Sequence, residues 1–162
     1  MADQAQPEHN RQFAIQRIYT KDLSFESPGA PDIFRSNWEP KHELNINTKV
    51  NPVGDDTYEV VLSITVTTKI EDKTALIVEV HQAGLFAAKG FPEQELGPLL
   101  AAYCPNQLFP YAREVVADLV TKGSFPQIVL QPINFDALYA QHLQQAAQQA
   151  GQPGGGEPPR AH

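Results

Sequence analysis

From Tyr58 to Ile70 the chain alternates, with Tyr58, Val60, Leu62, Ile64, Val66 and Ile70 separated by polar or small neighbours. A period of two over this length belongs to a strand with one buried face, because a helix would bring such residues to every side. Asn51, Pro52, Gly54, Asp55 and Asp56 are turn formers, and they precede this strand. They predict a hairpin to an earlier strand carrying Leu44, Ile46 and Thr48. Glu71, Asp72 and Lys73 form a polar turn into a further strand. In it Leu76, Val78 and Val80 share one face, and Ile77, Glu79 and His81 share the other. A first strand from about Phe13 to Phe25 completes a four-stranded, mainly antiparallel sheet.

The second half changes period. Leu96, Leu99, Leu100 and Tyr103 fall at helical spacing after Pro92, and Cys104-Pro105-Asn106 is expected to end that helix. A second helix is expected from near Pro110 to Gly123, carrying Val115, Val116, Leu119 and Val120. A third follows an Asn134 cap, with Leu138, His142 and Leu143 on one face. Strands followed by helices define an α+β domain with the helices on one face of the sheet. Its expected span is 11–145, between a disordered segment 1–10 and a disordered Gln/Ala/Gly/Pro-rich tail 146–162.

Bulk properties narrow the function. A net charge of -7 repels phosphate backbones and anionic headgroups, so nucleic acid and membrane surfaces are poor partners. The opening MADQAQPEHNRQ has no apolar core of the kind a secretion signal needs, and no run of apolar residues is long enough to span a bilayer. A lone cysteine, Cys104, offers no intrachain disulfide and fits a reducing cytoplasm. No phosphate-binding GxxxxGK[ST] sequence is present, and Lys89 in the Gly84 to Gly90 stretch comes before the second glycine. His9, His42, His81, His142 and His162 lack HxxxH or HExxH spacing, so no metal or other cofactor is expected. Cys104 paired with His81 would be the one nucleophilic arrangement, but a buried inert thiol beside Pro105 is the commoner reading. Asp55 and Asp56 sit in a turn, where a solvated loop explains them. The chain is read as a non-enzyme.

Large apolar residues also stand where no regular element is expected. Pro28, Gly29, Pro31 and Pro40 mark a loop that carries Phe34 and Trp38. Either these rings plug the core beneath an ordered loop, or they line a surface groove.

Three strings carry a resemblance: IQRIYTKDLSFESPGAP at Ile15 to Pro31, AYCPNQLFPYARE at Ala102 to Glu114, and FPQIVLQPINFDALY at Phe125 to Tyr139. In this order they closely resemble the SecB family of bacterial export chaperones, over about Phe13 to Leu143. The resemblance implies a cytoplasmic holdase that keeps unfolded secretory precursors open and delivers them to the motor SecA. It also implies a homotetramer built as a dimer of dimers, with helices between two sheets. SecA is placed by it on the exposed sheet face, at positions matching Asp22, Glu26, Ile77 and Glu79. Alternation agrees, since Asp22, Ser24 and Glu26 point opposite to Leu23 and Phe25, as Ile77 and Glu79 point opposite to Leu76 and Val78. For the client groove the resemblance implies Phe25, Trp38, Leu44, Ile46 and Tyr111, and the apolar pattern adds Phe34, Phe109 and Leu138. The tail departs from acidic tails of the family, setting Glu157 against Arg160. A relative redirected to another client, such as a toxin-antitoxin component, is the alternative, and the retained acidic face favours export.

Overall fold

The computed structural model describes residues 10–151. Four strands, β1 (Gln12–Glu26), β2 (Lys41–Gly54), β3 (Thr57–Ile70) and β4 (Lys73–Lys89), form one antiparallel sheet in the order β1-β4-β3-β2. The β3–β4 hairpin closes with Ile70 paired to Lys73, and the two residues between them, Glu71 and Asp72, have φ of 50° and 64°. Two left-handed residues in a two-residue loop match the twist of the flanking strands, which a right-handed turn would splay. At the other hairpin Gly54 pairs Thr57 around Asp55 and Asp56.

β1 and β2 are opposite edges of the sheet, so the segment joining them crosses one end of it. This segment contains a short 3-10 turn, Asp32–Arg35, that buries Ile33. Ser27 ties it to β4 by donating its hydroxyl hydrogen to the Ala75 carbonyl at 3.0 Å.

Even-numbered residues of β2, β3 and β4 face the helices. Val60, Leu62, Ile64 and Val66 of β3 are sealed there with Leu76, Val78, Val80 and Phe86 of β4. Each such side chain contributes roughly 1.5–3 kcal/mol relative to exposure. β1 keeps this alternation only in pieces. Its register against β4 shifts once between Ile15 and Arg17 and again between Thr20 and Asp22. Each bulge adds one residue and exchanges the faces of everything that follows.

The helical half runs through α1 (Glu93–Pro98), a π-helical stretch (Leu99–Tyr103) and α2 (Cys104–Lys122) without a break. The expected stop at Cys104-Pro105-Asn106 is therefore corrected: the helical path continues through it, changing from π to α at Cys104. Through the π stretch the Cys104 N–H reaches back five residues to the Leu99 carbonyl. Pro105, which has no N–H to continue the ladder, directly follows this π stretch, where the hydrogen-bonding changes register. Pro110 lies inside α2, not at its beginning, and is exposed, so the carbonyl it leaves free is on the solvent side. α2 lays Leu108, Ala112, Val116 and Val120, all buried at intervals of four, across β4 and β3.

α3 (Phe135–Ala150) starts where expected, with Asn134 Oδ1 accepting the Ala137 N–H at 3.0 Å. It ends later than expected. The proposed tail at 146 begins inside this helix, because glutamine and alanine carry good helix propensity whatever their sequence complexity. The expected segment 1–10, apart from Asn10, and the rest of the tail from 152 lie outside the described residues.

Candidate client and partner surfaces

The face of the sheet away from the helices carries an acidic row. Glu26 stands opposite Ile77, Ser24 opposite Glu79, and Asp22 opposite His81. The four residues assigned to this face from sequence, Asp22, Glu26, Ile77 and Glu79, are thus brought together on two neighbouring strands. The bulge at Thr20/Asp22 puts Asp22 and Glu26 on this face while Leu23 and Phe25 turn to the helix side. His81 Nε2 lies 2.7 Å from Glu79 Oε1, and Asp22 Oδ1 accepts the Leu23 N–H at 2.9 Å. His81 had no place in the sequence assignment, although it shares parity with Glu79.

Beside this row Tyr19 and Lys21 of β1 meet Glu59 of β3 across the intervening β4, where Ala83 stands opposite Tyr19 and Leu85 opposite Glu59. The Tyr19 hydroxyl donates to Glu59 Oε2, and Lys21 Nζ donates to Glu59 Oε1 at 2.8 Å. Burial, then the bond to Glu59, pushes the Tyr19 phenol up to about 12. The Lys21 ammonium holds the Glu59 carboxyl below its ordinary value.

On the helix side, Phe125 is the centre of an aromatic group. Its ring centroid lies 5.2 Å from Phe34, 5.8 Å from Trp38 and 6.4 Å from Phe25. Phe125 is buried, Phe25 and Trp38 are half-buried, and Phe34 is 50% exposed. Trp38 packs against the margin of the core, and Phe34 presents a ring to solvent. Sequence reasoning missed Phe125 as the hub, although its position just after the Gly123-Ser124 helix stop marks it as a loop aromatic.

A cavity of about 500 Å³ opens between β2 and α3, lined by Ile46, Val50, Ala101, Phe135, Leu138 and Tyr139 among others. Leu44, 43% exposed, continues the same face of β2 beyond Ile46. Phe25, Phe34, Trp38, Leu44, Ile46 and Leu138 thus fall on the helix side in two neighbourhoods, one around Phe125 and one at α3. The α3 face expected from Leu138, His142 and Leu143 stays exposed because Phe135 is the helix's one buried residue.

Two expected groove residues lie elsewhere. Phe109 is a core residue, 5% exposed and edge-on to Phe135 at 6.0 Å, because the unbroken α2 turns that position inward. Tyr111, 50% exposed, lines a separate hollow with Ile18, Tyr19, Thr20, Gln82 and Glu114 at the β1 edge. Cys104 is a buried thiol, as the sequence reading favoured, and it does not pair with His81. Cys104 is sealed beneath the helices, where burial pushes its thiol up to about 12, while His81 points from the opposite face of the sheet. Among the described residues, no three His, Cys, Asp or Glu side chains converge as metal ligands would, and no helix is long and apolar enough to cross a membrane.

A four-stranded antiparallel sheet with its helices on one face and aromatic hollows at their margins is the architecture of a SecB-like chaperone. A solved Mycobacterium tuberculosis SecB-like chaperone, in complex with a peptide from an antitoxin, shares this fold at a TM-score of 0.63. It has 20% identity and covers 75% of this chain and 90% of that one. The family model described as preprotein translocase subunit SecB matches residues 5–146, and the chain belongs to the SecB family. It is 60% identical over 145 residues to the protein-export protein SecB of Methylococcus capsulatus, covering 90% of this chain and 92% of that protein. It is 59% identical over 136 residues to that of Nitrosococcus oceani, covering 83% of each. Its chaperone role is in protein export.

Proposed function

We propose that this chain is a cytoplasmic holdase without enzymatic activity, working as a homotetramer, that carries unfolded precursors in its helix-side hollows and docks on SecA through its acidic sheet face. The observation that carries this is the division of labour between two faces of one sheet: exposed Phe34, Leu44 and Leu138 on one side, Asp22, Glu26 and Glu79 with Ile77 on the other. A carrier that delivers a client needs both surfaces accessible at once.

The client surface suits promiscuous binding. Burying one large apolar side chain contributes roughly 1.5–3 kcal/mol, while fixing each client residue costs about 1–2 kcal/mol of backbone entropy, so one short contact nearly cancels. Repetition around an oligomer raises the effective concentration and strengthens capture by roughly 10²–10⁴ without new contact types. The acidic face suits a transient handover, since exposed ion pairs contribute only about 0.2–1 kcal/mol each and steer more than they hold.

Export is favoured over a dedicated antitoxin client because the protein-export relatives are 51–60% identical, against 20% for the antitoxin-binding neighbour. The test is light scattering of a denatured precursor diluted with and without the chain, followed by addition of SecA. Suppressed aggregation and then transfer of the precursor to SecA is the expected result. Unchanged aggregation refutes the holdase, and suppression without transfer refutes the export assignment.

A further inference from the structure

We infer that Tyr19, Lys21 and Glu59 form a clamp that sets the acidic docking row in place, making them positioning residues for SecA recognition. The inference rests on the proposed docking of SecA at Asp22, Glu26, Ile77 and Glu79, and it concerns what keeps those residues on the outer face.

Lys21, like Gln16 earlier in β1, has no partner on β4: pairing passes from Thr20 with Gln82 directly to Asp22 with His81. Without this extra residue, the alternation of β1 would turn Asp22, Ser24 and Glu26 toward the helices and Leu23 and Phe25 toward solvent. The docking row exists because the bulge exists. Within this chain β1 is an edge strand, hydrogen-bonded to β4 alone, so its register in the subunit depends on that one ladder and on what its side chains reach.

Tyr19 and Lys21 flank Thr20 at the start of this bulge, and both are tied to one carboxylate on β3. Glu59 is anchored on a central strand, and its side chain is 13% exposed against 49% for Lys21. A partly buried carboxylate that accepts from an ammonium and a phenol at once is a strong, directional tether. It spans β4 with no hydrogen bond or ion pair to the docking residues, so its hold on the row runs through the backbone of β1.

The charge of Lys21 makes the idea sharply testable. Were Lys21 only a surface cation beside an acidic row, Lys21→Met would make the face more acidic and tighten binding to a basic partner segment. A clamp predicts the opposite sign. SecA binding to the full-length chain, measured by titration at two salt concentrations, should weaken roughly threefold or more for both Lys21→Met and Tyr19→Phe. Tyr19→Phe changes no charge, so its effect should persist at the higher salt, and Lys21→Arg should restore docking. Client holding should stay at the wild-type level, and amide exchange of residues 20–26 should rise in the weakened variants. Tighter docking by Lys21→Met, or an unchanged Tyr19→Phe, overturns the clamp. Asp22→Asn and Glu79→Lys serve as controls: if neither weakens SecA binding, the docking face itself is wrong, whereas weakening by these alone removes only the clamp.

Discussion

Gly123 closes α2 directly against the ring of Phe25: a β-carbon at 123 would stand 2.9 Å from Phe25 Cε1 and 3.0 Å from Cε2. The φ of Gly123 is -77°, which any residue adopts, and the left-handed position is taken by Ser124 at 64°. The glycine is therefore required by the neighbouring ring and not by the backbone. Gly123→Ala should displace Phe25 from its place beside Phe125 and destabilise the chain by about 1–3 kcal/mol, as overpacking does. Thermal unfolding measures the loss, and a Gly123→Ala chain as stable as the wild type would show that Phe25 yields freely.

Leu138 and Phe109 separate the proposed client contact from core. Leu138 is 40% exposed at the mouth of the β2–α3 cavity, so Leu138→Ser should change stability by no more than about 0.5 kcal/mol. It should weaken precursor binding severalfold, through the apolar area a client no longer buries. Phe109→Ala should instead cost about 3–5 kcal/mol of stability by leaving a cavity against Phe135. Denaturant titration alongside precursor binding distinguishes the two.

Glu79→Lys reverses one charge in the middle of the proposed docking row. It should weaken SecA binding severalfold at low salt, and less at high salt, while precursor holding is spared. Equal loss of both activities would show that the two surfaces are not separate.

Cys104 should report unfolding. With its thiol pushed up to about 12 by burial, the reactive thiolate is scarce at neutral pH. Alkylation should follow the unfolding transition in urea instead of preceding it, and prompt labelling of the native chain would contradict the burial.

The sheet was legible because period-two runs such as Tyr58 to Ile70 are long and their turn residues are explicit. The helix-side and outer faces of β1 near Asp22 were also legible, since both bulges precede Asp22 and alternation runs unbroken from Asp22 to Glu26. What alternation does not encode is the pairing across strands, so the bulge at Lys21 and the reach of Tyr19 to Glu59 had no local signal. The helix boundary at Cys104 was misread because proline ends helices far more often than it enters one behind a π turn. Phe109 was misplaced by the same error, for a helix that starts at 110 leaves 109 in a loop, while one that starts at 104 buries it. Exposure of Phe34 and the α3 face depends on which neighbours arrive, and no single segment holds that information.

The two-face division is tested most directly by site-specific photo-cross-linking. A cross-linker placed at Leu138 and, in a second preparation, at Glu79 is activated in the ternary mixture of chain, unfolded precursor and SecA. The account predicts that Leu138 captures precursor and Glu79 captures SecA. Precursor joined to Glu79 and SecA joined to Leu138 would contradict it.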